Sequence, residues 1–387
     1  MRALQRHWDG GRLNASVALL GRDRAPFVPD SFWHMIPHTD GVMRDVWIDR
    51  ADDPEAWRSV VEADGVVVTQ WDDGDPDPAY GRMLPTSGAS APSIVKAMLD
   101  AADIREGQHV FEIGTGTGYT AALLKDRVGP SGSVLTVEVD PDVADDARNR
   151  LEAAKVDAEV VCGDACTPGG MEALRSGLRR RTFDRVHATC ALREIPAEWL
   201  TVCPNGKIML PRTTAFSPNA DHVITLNVRN GIGSGRFGAA VAFMKARAQR
   251  PAMWDDWPDI DEPVPMPLGL DWQQLDAPLA ASAVFVLGLL LPGVEHHASG
   301  DPADGHRDLW LEGDGKIALI RYGQGQPTSA AGDGRLVSRY VGAVRWWFRH
   351  GRPTVSGFGL SVRPPHGVLR YAVQNVWLGS PRRRVRV

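Results

Sequence analysis

Two sets of residues could do chemistry. The first is Gly114, Gly116 and Gly118, spaced by two in the run Val-Phe-Glu-Ile-Gly-Thr-Gly-Thr-Gly-Tyr over 110–119. An apolar stretch at 109–113 leads in and a helical pattern at 119–127 leads out. Glycines at such a junction let the backbone turn tightly and approach a ligand with no Cβ in the way, while the helix start offers unpaired N–H groups. A second strand-like run, 133–139, ends in Glu138, twenty residues beyond Gly118. A carboxylate there is placed to accept both ribose hydroxyls of an adenosine ligand, whether a dinucleotide or S-adenosylmethionine. The second set is Thr86, Ser87 and Ser90, three hydroxyls within five residues. Capping of the next helix accounts for one of them, with Ser90 at the N-cap and Pro92 just inside; contact with a substrate accounts for several.

The elements that must position these residues follow from the pattern around them. Helix is expected at 92–102 and 142–155, strand at 158–162 ending in Gly163-Asp164, helix at 171–180, strand at 183–189, a short helix at 196–202 and strand at 207–210. Strict alternation of strand and helix means a parallel-rich sheet with helices on both faces, a Rossmann-like α/β fold. Ligands bind such sheets at the carboxyl ends of the strands, where Glu112, Glu138, Asp164 and the pair Thr189-Cys190 fall.

Outside this block the pattern changes. Residues 1–80 read as an N-terminal lid segment, with packed irregular backbone at 25–29 and 35–38, a strand at 65–71 and an acidic turn at 72–77. The stretch 84–93 reads as a hydroxyl-rich loop. His34 and His38 stand at helical spacing, but Pro37 intervenes and no carboxylate follows, so surface or core histidines are expected and no metal. A hairpin of 222–228 and 239–244 about a glycine-rich loop precedes a proline- and tryptophan-dense linker at 250–272. A closing unit of mixed strands (284–291, 309–311, 317–322, 368–378) and one helix (336–349) completes the chain, with Trp346, Trp347 and Phe348 expected in its core. The expected division is a lid at 1–80, a ligand-binding domain at 81–250 and a C-terminal α+β domain at 251–387.

At 387 residues and 43% hydrophobic content, the chain can build two or three packed domains. The longest apolar run, 283–291, has the length of a core strand or helix, so no membrane span is expected. The first nine residues carry charges and lack the apolar stretch of a secretory signal, so a cytoplasmic protein is expected. Four cysteines, Cys162, Cys166, Cys190 and Cys203, lack the pairing of a disulfide framework or zinc site and read as structural. A formal charge of −5 argues against general nucleic-acid binding. The basic run Arg382, Arg383, Arg384 and Arg386 reads as a solvated tail, or else as a dock for an acidic peptide.

The block 90–211 resembles the protein-L-isoaspartate O-methyltransferases. The likeness runs through Ser90-Ala-Pro92, the glycine run from Phe111 to Gly118, Val137-Glu138, Gly163-Asp164, Phe183-Asp-Arg-Val186, Glu194-Ile-Pro196 and Gly206-Lys-Ile-Met-Leu-Pro211. Residues 24–29 resemble the segment that ends in Phe-Val-Pro in that family. The resemblance implies a class I methyltransferase domain using S-adenosylmethionine, held by Glu112, Gly114, Thr115, Gly116, Thr117, Gly118, Glu138, Val139, Gly163, Asp164 and Ala165. It also implies that Ser90 and a threonine two residues earlier hold the substrate carboxylate. That threonine position is Gly88 here, which turns attention to Thr86 and Ser87.

The chain continues for about 140 residues past the hairpin, the linker included. This layout looks like homologues from ribosomal-peptide pathways, lanthipeptide and graspetide among them, which methylate an aspartate of a precursor peptide. The implied product is an activated ester that the next backbone nitrogen attacks, closing a succinimide that opens to aspartate or isoaspartate. Two rivals stand beside this expectation: repair of isoaspartyl damage in many proteins, and a binding module that keeps the fold without turnover. A dehydrogenase is disfavoured, since nothing resembles a hydride-transfer site and Gly-x-Gly-x-Gly departs from Gly-x-Gly-x-x-Gly. The expected partner is a peptide; oligomeric state is left open.

Overall fold

The structure, a computed structural model, describes residues 20–37, 43–75, 84–178, 181–217, 219–251, 260–279, 283–365 and 371–385. Expectations resting on 1–9, His38, 76–77, 179–180, 252–259, 368–370 and Arg386 lie outside the described residues. Two compact units form, one from Met1–Thr189 and Thr201–Met209, the other from Cys190–Leu200 and Leu210–Val387. Compactness therefore divides the chain along different lines from composition.

The first unit opens with an antiparallel pair, β1 (Ser31–Pro37) and β2 (Met43–Asp49). Irregular backbone was expected at 35–38, but Ser-Phe-Trp-His-Met-Ile carries β-branched and aromatic residues, and Pro37 stands at the last position of the strand, where it breaks nothing. Helix α1 (Pro54–Glu62) is capped by Asp53, whose side chain accepts from Ala56 N. Its buried Trp57 and Val61 join Val28, Phe32, Val67 and Ala89 in a small separate core. The last two come from β3 (Val67–Trp71) and β4 (Pro85–Ala89), which pair antiparallel. β4 replaces the loop expected there: its side chains alternate in burial against β3, and pairing overrides the low strand propensity of Pro-Thr-Ser-Gly-Ala.

Helix α2 (Pro92–Ala102) follows, and its N-cap is Ala91 rather than Ser90, with no side-chain cap. Asp64 accepts the orphan Ser93 N–H instead, at 2.9 Å. The main sheet holds β5 (His109–Ile113), β6 (Ser133–Glu138), β7 (Glu159–Cys162), β8 (Arg185–Ala188) and β9 (Gly206–Arg212), all parallel in the order β7-β6-β5-β8-β9. Helices α3 (Tyr119–Val128), α4 (Pro141–Ala153), α5 (Pro168–Leu178) and α6 (Glu198–Val202) lie between them in sequence. This is the doubly wound sheet that the alternation predicts. Strand order reverses at β5, which places a ligand crevice at its carboxyl end. From Val110 onward β5 is buried, as expected of a strand covered on both sides.

The second unit contains an antiparallel run, β18 (Val373–Leu378), β17 (Phe358–Arg363), β11 (Ile232–Val241) and β10 (Asp221–Arg229) in that order. The β10–β11 turn is not the glycine-rich stretch expected. Asn230 (φ 51°) and Gly231 (φ 71°) make a two-residue turn, and Gly233, Gly235 and Gly238 lie inside β11. A second sheet orders β12 (Val264–Pro265), β16 (Ser329–Gly332), β15 (Lys316–Tyr322), β14 (Arg307–Gly313) and β13 (Glu295–Gly300), all antiparallel.

Three helices complete this unit: α7 (Trp272–Asp276), α8 (Val284–Leu290) and α9 (Gly334–Arg349). α8 occupies the run read as a strand, and every residue of it is buried; a wholly apolar segment carries no period by which to tell helix from strand. In α9, Trp346 and Trp347 are buried as expected. Nor is the basic run a free tail, since Arg384 bridges Trp377 and Val385 N donates to Val376 O. Among the described residues no single helix is long and apolar enough to cross a membrane.

Candidate functional site

The glycine loop leaves β5 with all three glycines in the left-handed region: Gly114 at φ 88°, Gly116 at 53° and Gly118 at 85°. Space as well as torsion excludes side chains. A Cβ on Gly114 would stand 2.6 Å from Thr189 Oγ1, and one on Gly116 would stand 3.2 Å from the Gly88 carbonyl. Gly118 is the N-cap of α3 and supplies no side chain, so the helix start keeps open donors toward the loop. Thr115 is buried and its hydroxyl shares a 2.7 Å hydrogen bond with that of Thr136; Thr117 is buried beside it. The Thr189 hydroxyl, at the end of β8, is directed at the Ile113 and Gly114 carbonyls, 3.1 and 2.5 Å away, and ties the loop to the neighbouring strand.

Two glutamates stand under this loop. Glu138, at the end of β6, accepts from Gly116 N (2.9 Å), Val139 N (2.9 Å) and Asp140 N (3.2 Å). Burial raises its pKa, and these three amides pull it back toward the ionised form. Two oxygens offer about four acceptor sites, so three backbone bonds leave Glu138 room for one more donor. Val139, next in the chain, is an exposed apolar side chain. Glu112 is fully buried, and among the described residues neither of its oxygens has a partner in hydrogen-bond geometry, the Thr136 hydroxyl being nearby but directed at Thr115. Burial pushes its carboxyl up to about 8; the Thr136 hydroxyl opposes this and the Glu138 charge adds to it. Glu112 therefore holds a proton at neutral pH in the ligand-free protein.

At the end of β7, Gly163 packs so closely on α5 that a Cβ would meet Leu174 Cδ2 at 2.7 Å. Asp164 accepts from Cys166 N (2.7 Å) and the Thr167 hydroxyl (2.8 Å), which fixes the turn that begins α5, and Ala165 is buried there. The carboxyl ends of β5, β6 and β7 and the loops after them thus carry the residues expected to hold an adenosine ligand.

The three hydroxyls separate by role. Thr86 Oγ1 donates to Gln70 Oε1 (2.9 Å) and accepts from Asp73 N (3.1 Å), while Gln70 Nε2 donates to Asp140 Oδ2 (3.1 Å). Its hydroxyl is spent on joining β4, the turn after β3 and the start of α4. Ser87 is the contrast: it is 6% exposed and its hydroxyl has no partner among the described residues. It lies 3.8 Å from where a Gly116 Cβ would be, so it faces the glycine loop. Ser90 sits half-buried between β4 and α2.

Sequence reading missed Arg24. It is 1% exposed, and its guanidinium donates to four carbonyls, Val61 (3.4 Å), Ala63 (3.3 Å), Gly65 (2.9 Å) and Ala89 (2.6 Å). Burial lowers its pKa to about 10, so it stays charged at neutral pH. The bond to Ala89 fixes the end of β4, and with it Ser87 and Ser90. An arginine directly ahead of Ala-Pro-Phe-Val-Pro was the only signal. The same segment meets the glycine-loop helix, where Tyr119 Oη donates to the Arg22 carbonyl at 3.0 Å.

The family model and the curated relatives agree on one family. Residues 80–230 match the family model described as Protein-L-isoaspartate(D-aspartate) O-methyltransferase (PCMT). The chain is 36% identical over 124 residues to Protein-L-isoaspartate O-methyltransferase 2 of Archaeoglobus fulgidus, spanning 32% of this chain and 53% of that one. It is 33% identical over 157 residues to the Protein-L-isoaspartate O-methyltransferase of Methanococcus aeolicus, spanning 40% of this chain and 67% of that one. The chain spans about half the length of the first relatives it matches. A solved structure named protein-L-isoaspartate O-methyltransferase aligns over 93% of this chain and 95% of that chain at 16% identity, with a TM-score of 0.48.

Proposed function

Because the chain belongs to the protein-L-isoaspartate O-methyltransferase family through residues 80–230, we propose that it methylates the carboxylate of an isoaspartyl residue in a peptide or protein, with S-adenosylmethionine as donor. The observation that carries this reading is Ser87, a buried hydroxyl with no partner that faces the glycine loop. An orphaned buried hydroxyl is costly unless a ligand completes it.

The residues present fit the donor. Three left-handed glycines clear a path for it, Glu138 keeps an acceptor site for ribose, and Val139 offers an apolar surface to the base. Asp164, through the lone pairs its turn leaves open, would receive the adenine amino group, with Gly163 and Ala165 beside it and Thr115 and Thr117 shaping the loop. When bound, S-adenosylmethionine supplies an electrophilic methyl carbon on a sulfonium. A carboxylate acceptor, with a pKa of about 4, is already ionised at neutral pH, so the protein needs no strong base. Its task is to orient an oxygen: Ser87 and Ser90 would hold it, and Thr86 would fix the strand that carries them.

The expected precursor-peptide substrate is a narrower reading. Its support is the length of chain beyond the family block, most of the second unit. The comparisons favour the isoaspartyl substrate.

The test is transfer of tritiated methyl from S-adenosylmethionine to matched short peptides bearing isoaspartate or aspartate, read as base-released methanol. Labelling of the isoaspartyl peptide is the expected result, and Ser87→Ala should lower it about 10- to 100-fold while S-adenosylhomocysteine still binds. Labelling of the aspartyl peptide alone would transfer the function to the precursor reading. No labelling of either, with cofactor bound, would leave a fold without turnover.

A further inference from the structure

The second unit holds a cavity of about 740 Å³, in the range of small-ligand and peptide sites. Its lining is rich in guanidinium groups: Arg193, Arg212 and Arg384, against the single carboxylate of Glu194. Arg193 is offset by Glu295, at 3.3 Å. Arg212 has no such partner. Its Nη1 donates to the Leu192 carbonyl at 3.1 Å and to the Thr213 carbonyl, its Nε is buried with no acceptor, and among the described residues it forms no ion pair. Of the acids nearest to it, Asp221 is held by Lys245 at 2.8 Å and Glu194 accepts from Gln374 Nε2 at 2.6 Å. A guanidinium that lines a cavity, feels Glu194 and Asp221 only through space and forms no ion pair among the described residues can take an incoming anion as a direct partner.

A second orphan narrows the class of ligand. Gln374 Oε1 is also buried without a partner among the described residues, and Gln374 lines the cavity, so it calls for a donor. A fully ionised anion such as sulfate has no donor to offer it, whereas a peptide carries N–H groups beside its carboxylates. Leu289 and Leu360 add apolar wall, as a side chain of a bound segment would need.

We propose that this cavity docks an acidic segment of the substrate, with one carboxylate meeting Arg212 and a backbone N–H meeting Gln374 Oε1. The identity of the occupant as substrate rests on the methyltransferase reading; the docking itself does not. The edge of the site is Arg384, which forms an isolated antiparallel bridge with Trp377 of β18.

The experiment is calorimetry on the full chain with two acetylated, amidated pentapeptides, Gly-Glu-Leu-Glu-Gly and Gly-Gln-Leu-Gln-Gly, and with inorganic phosphate. The acidic peptide should bind at least about tenfold more tightly than its glutamine analogue. Arg212→Gln should weaken it about thirtyfold or more, and the exposed Arg384→Gln, which spares the buried network, by a few-fold, with the affinity falling as salt rises. Equal binding of both peptides, binding of neither, tighter binding of phosphate than of the acidic peptide, or unchanged affinity in Arg212→Gln would each overturn the proposal. S-adenosylhomocysteine binding and isoaspartyl labelling are measured on the same samples. If these fail while the acidic peptide binds, the methyltransferase reading falls and the dock stands; if they persist while docking fails, the dock alone falls.

Discussion

Glu112 and Glu138 lie on adjacent strands beside one loop, yet only Glu138 is furnished with donors. The difference makes a pH prediction. Unfolded, Glu112 titrates at the ordinary 4.5; folded, burial holds its proton to about 8. Between those values the unfolded chain sheds a proton that the native state keeps, so this group's contribution to stability is complete below the lower value and is lost as pH rises to the upper one. Glu112→Gln cannot titrate. Its stability relative to the native protein should therefore climb across that window by about 1.4 kcal/mol per pH unit at most. Urea unfolding at pH 5 and pH 8, without ligand, measures it, and parallel curves for the two proteins would sink the idea. At this scale the glycines and Glu138 were legible because backbone geometry dictates both residue type and spacing. The division of labour among Thr86, Ser87 and Ser90 was not, since three adjacent hydroxyls look alike until hydrogen bonds sort them. Arg24 was hidden for a related reason: carbonyl acceptors leave no mark in a sequence.

Elements were most legible where a period exists. α9 appeared close to its true bounds because its apolar face repeats at helical spacing, and the buried parallel strands did because their apolar runs are short and bounded by glycine and helical stretches. Where no period exists, as in α8, length and composition fit either state. The β10–β11 hairpin is instructive, because glycine content drew the turn to the wrong place. Asn-Gly at 230–231 is the stronger signal: both residues take positive φ, matching the twist of the flanking strands. Glycine in β11 has another cause, since a Cβ on Gly235 would stand 2.0 Å from the Thr225 carbonyl. Around Gly231 there is room, the nearest atom to a Cβ being 3.8 Å away. Gly231→Ala should thus cost only the torsional penalty, about 1–2 kcal/mol, whereas Asn230→Gly should be close to neutral. Denaturant midpoints of the two variants test this, and equal losses would refute the turn.

For the molecule as a whole, thiol chemistry reports on both units without a ligand. None of the four cysteines is in a disulfide; Cys162 is exposed, Cys190 half-buried, and Cys166 and Cys203 buried. Burial drives the Cys203 thiol up to about 12. With Ellman's reagent at neutral pH, Cys162 should react first, Cys190 more slowly, and the two buried thiols only after denaturant is added. Cys203 reacting at the rate of Cys162 would contradict the described packing, and reductant should leave the melting temperature unchanged. The cysteine spacing predicts structural thiols, and Cys162 lies exposed at the end of β7, the edge strand of its sheet. Least legible was the division of the chain, because a run of residues does not announce which core it joins. Cys190–Leu200 leaves the first unit for the second, Thr201–Met209 returns, and Leu210 departs again. Each unit is therefore assembled from two separated stretches of the chain, and no single cut in the polypeptide would release either one whole.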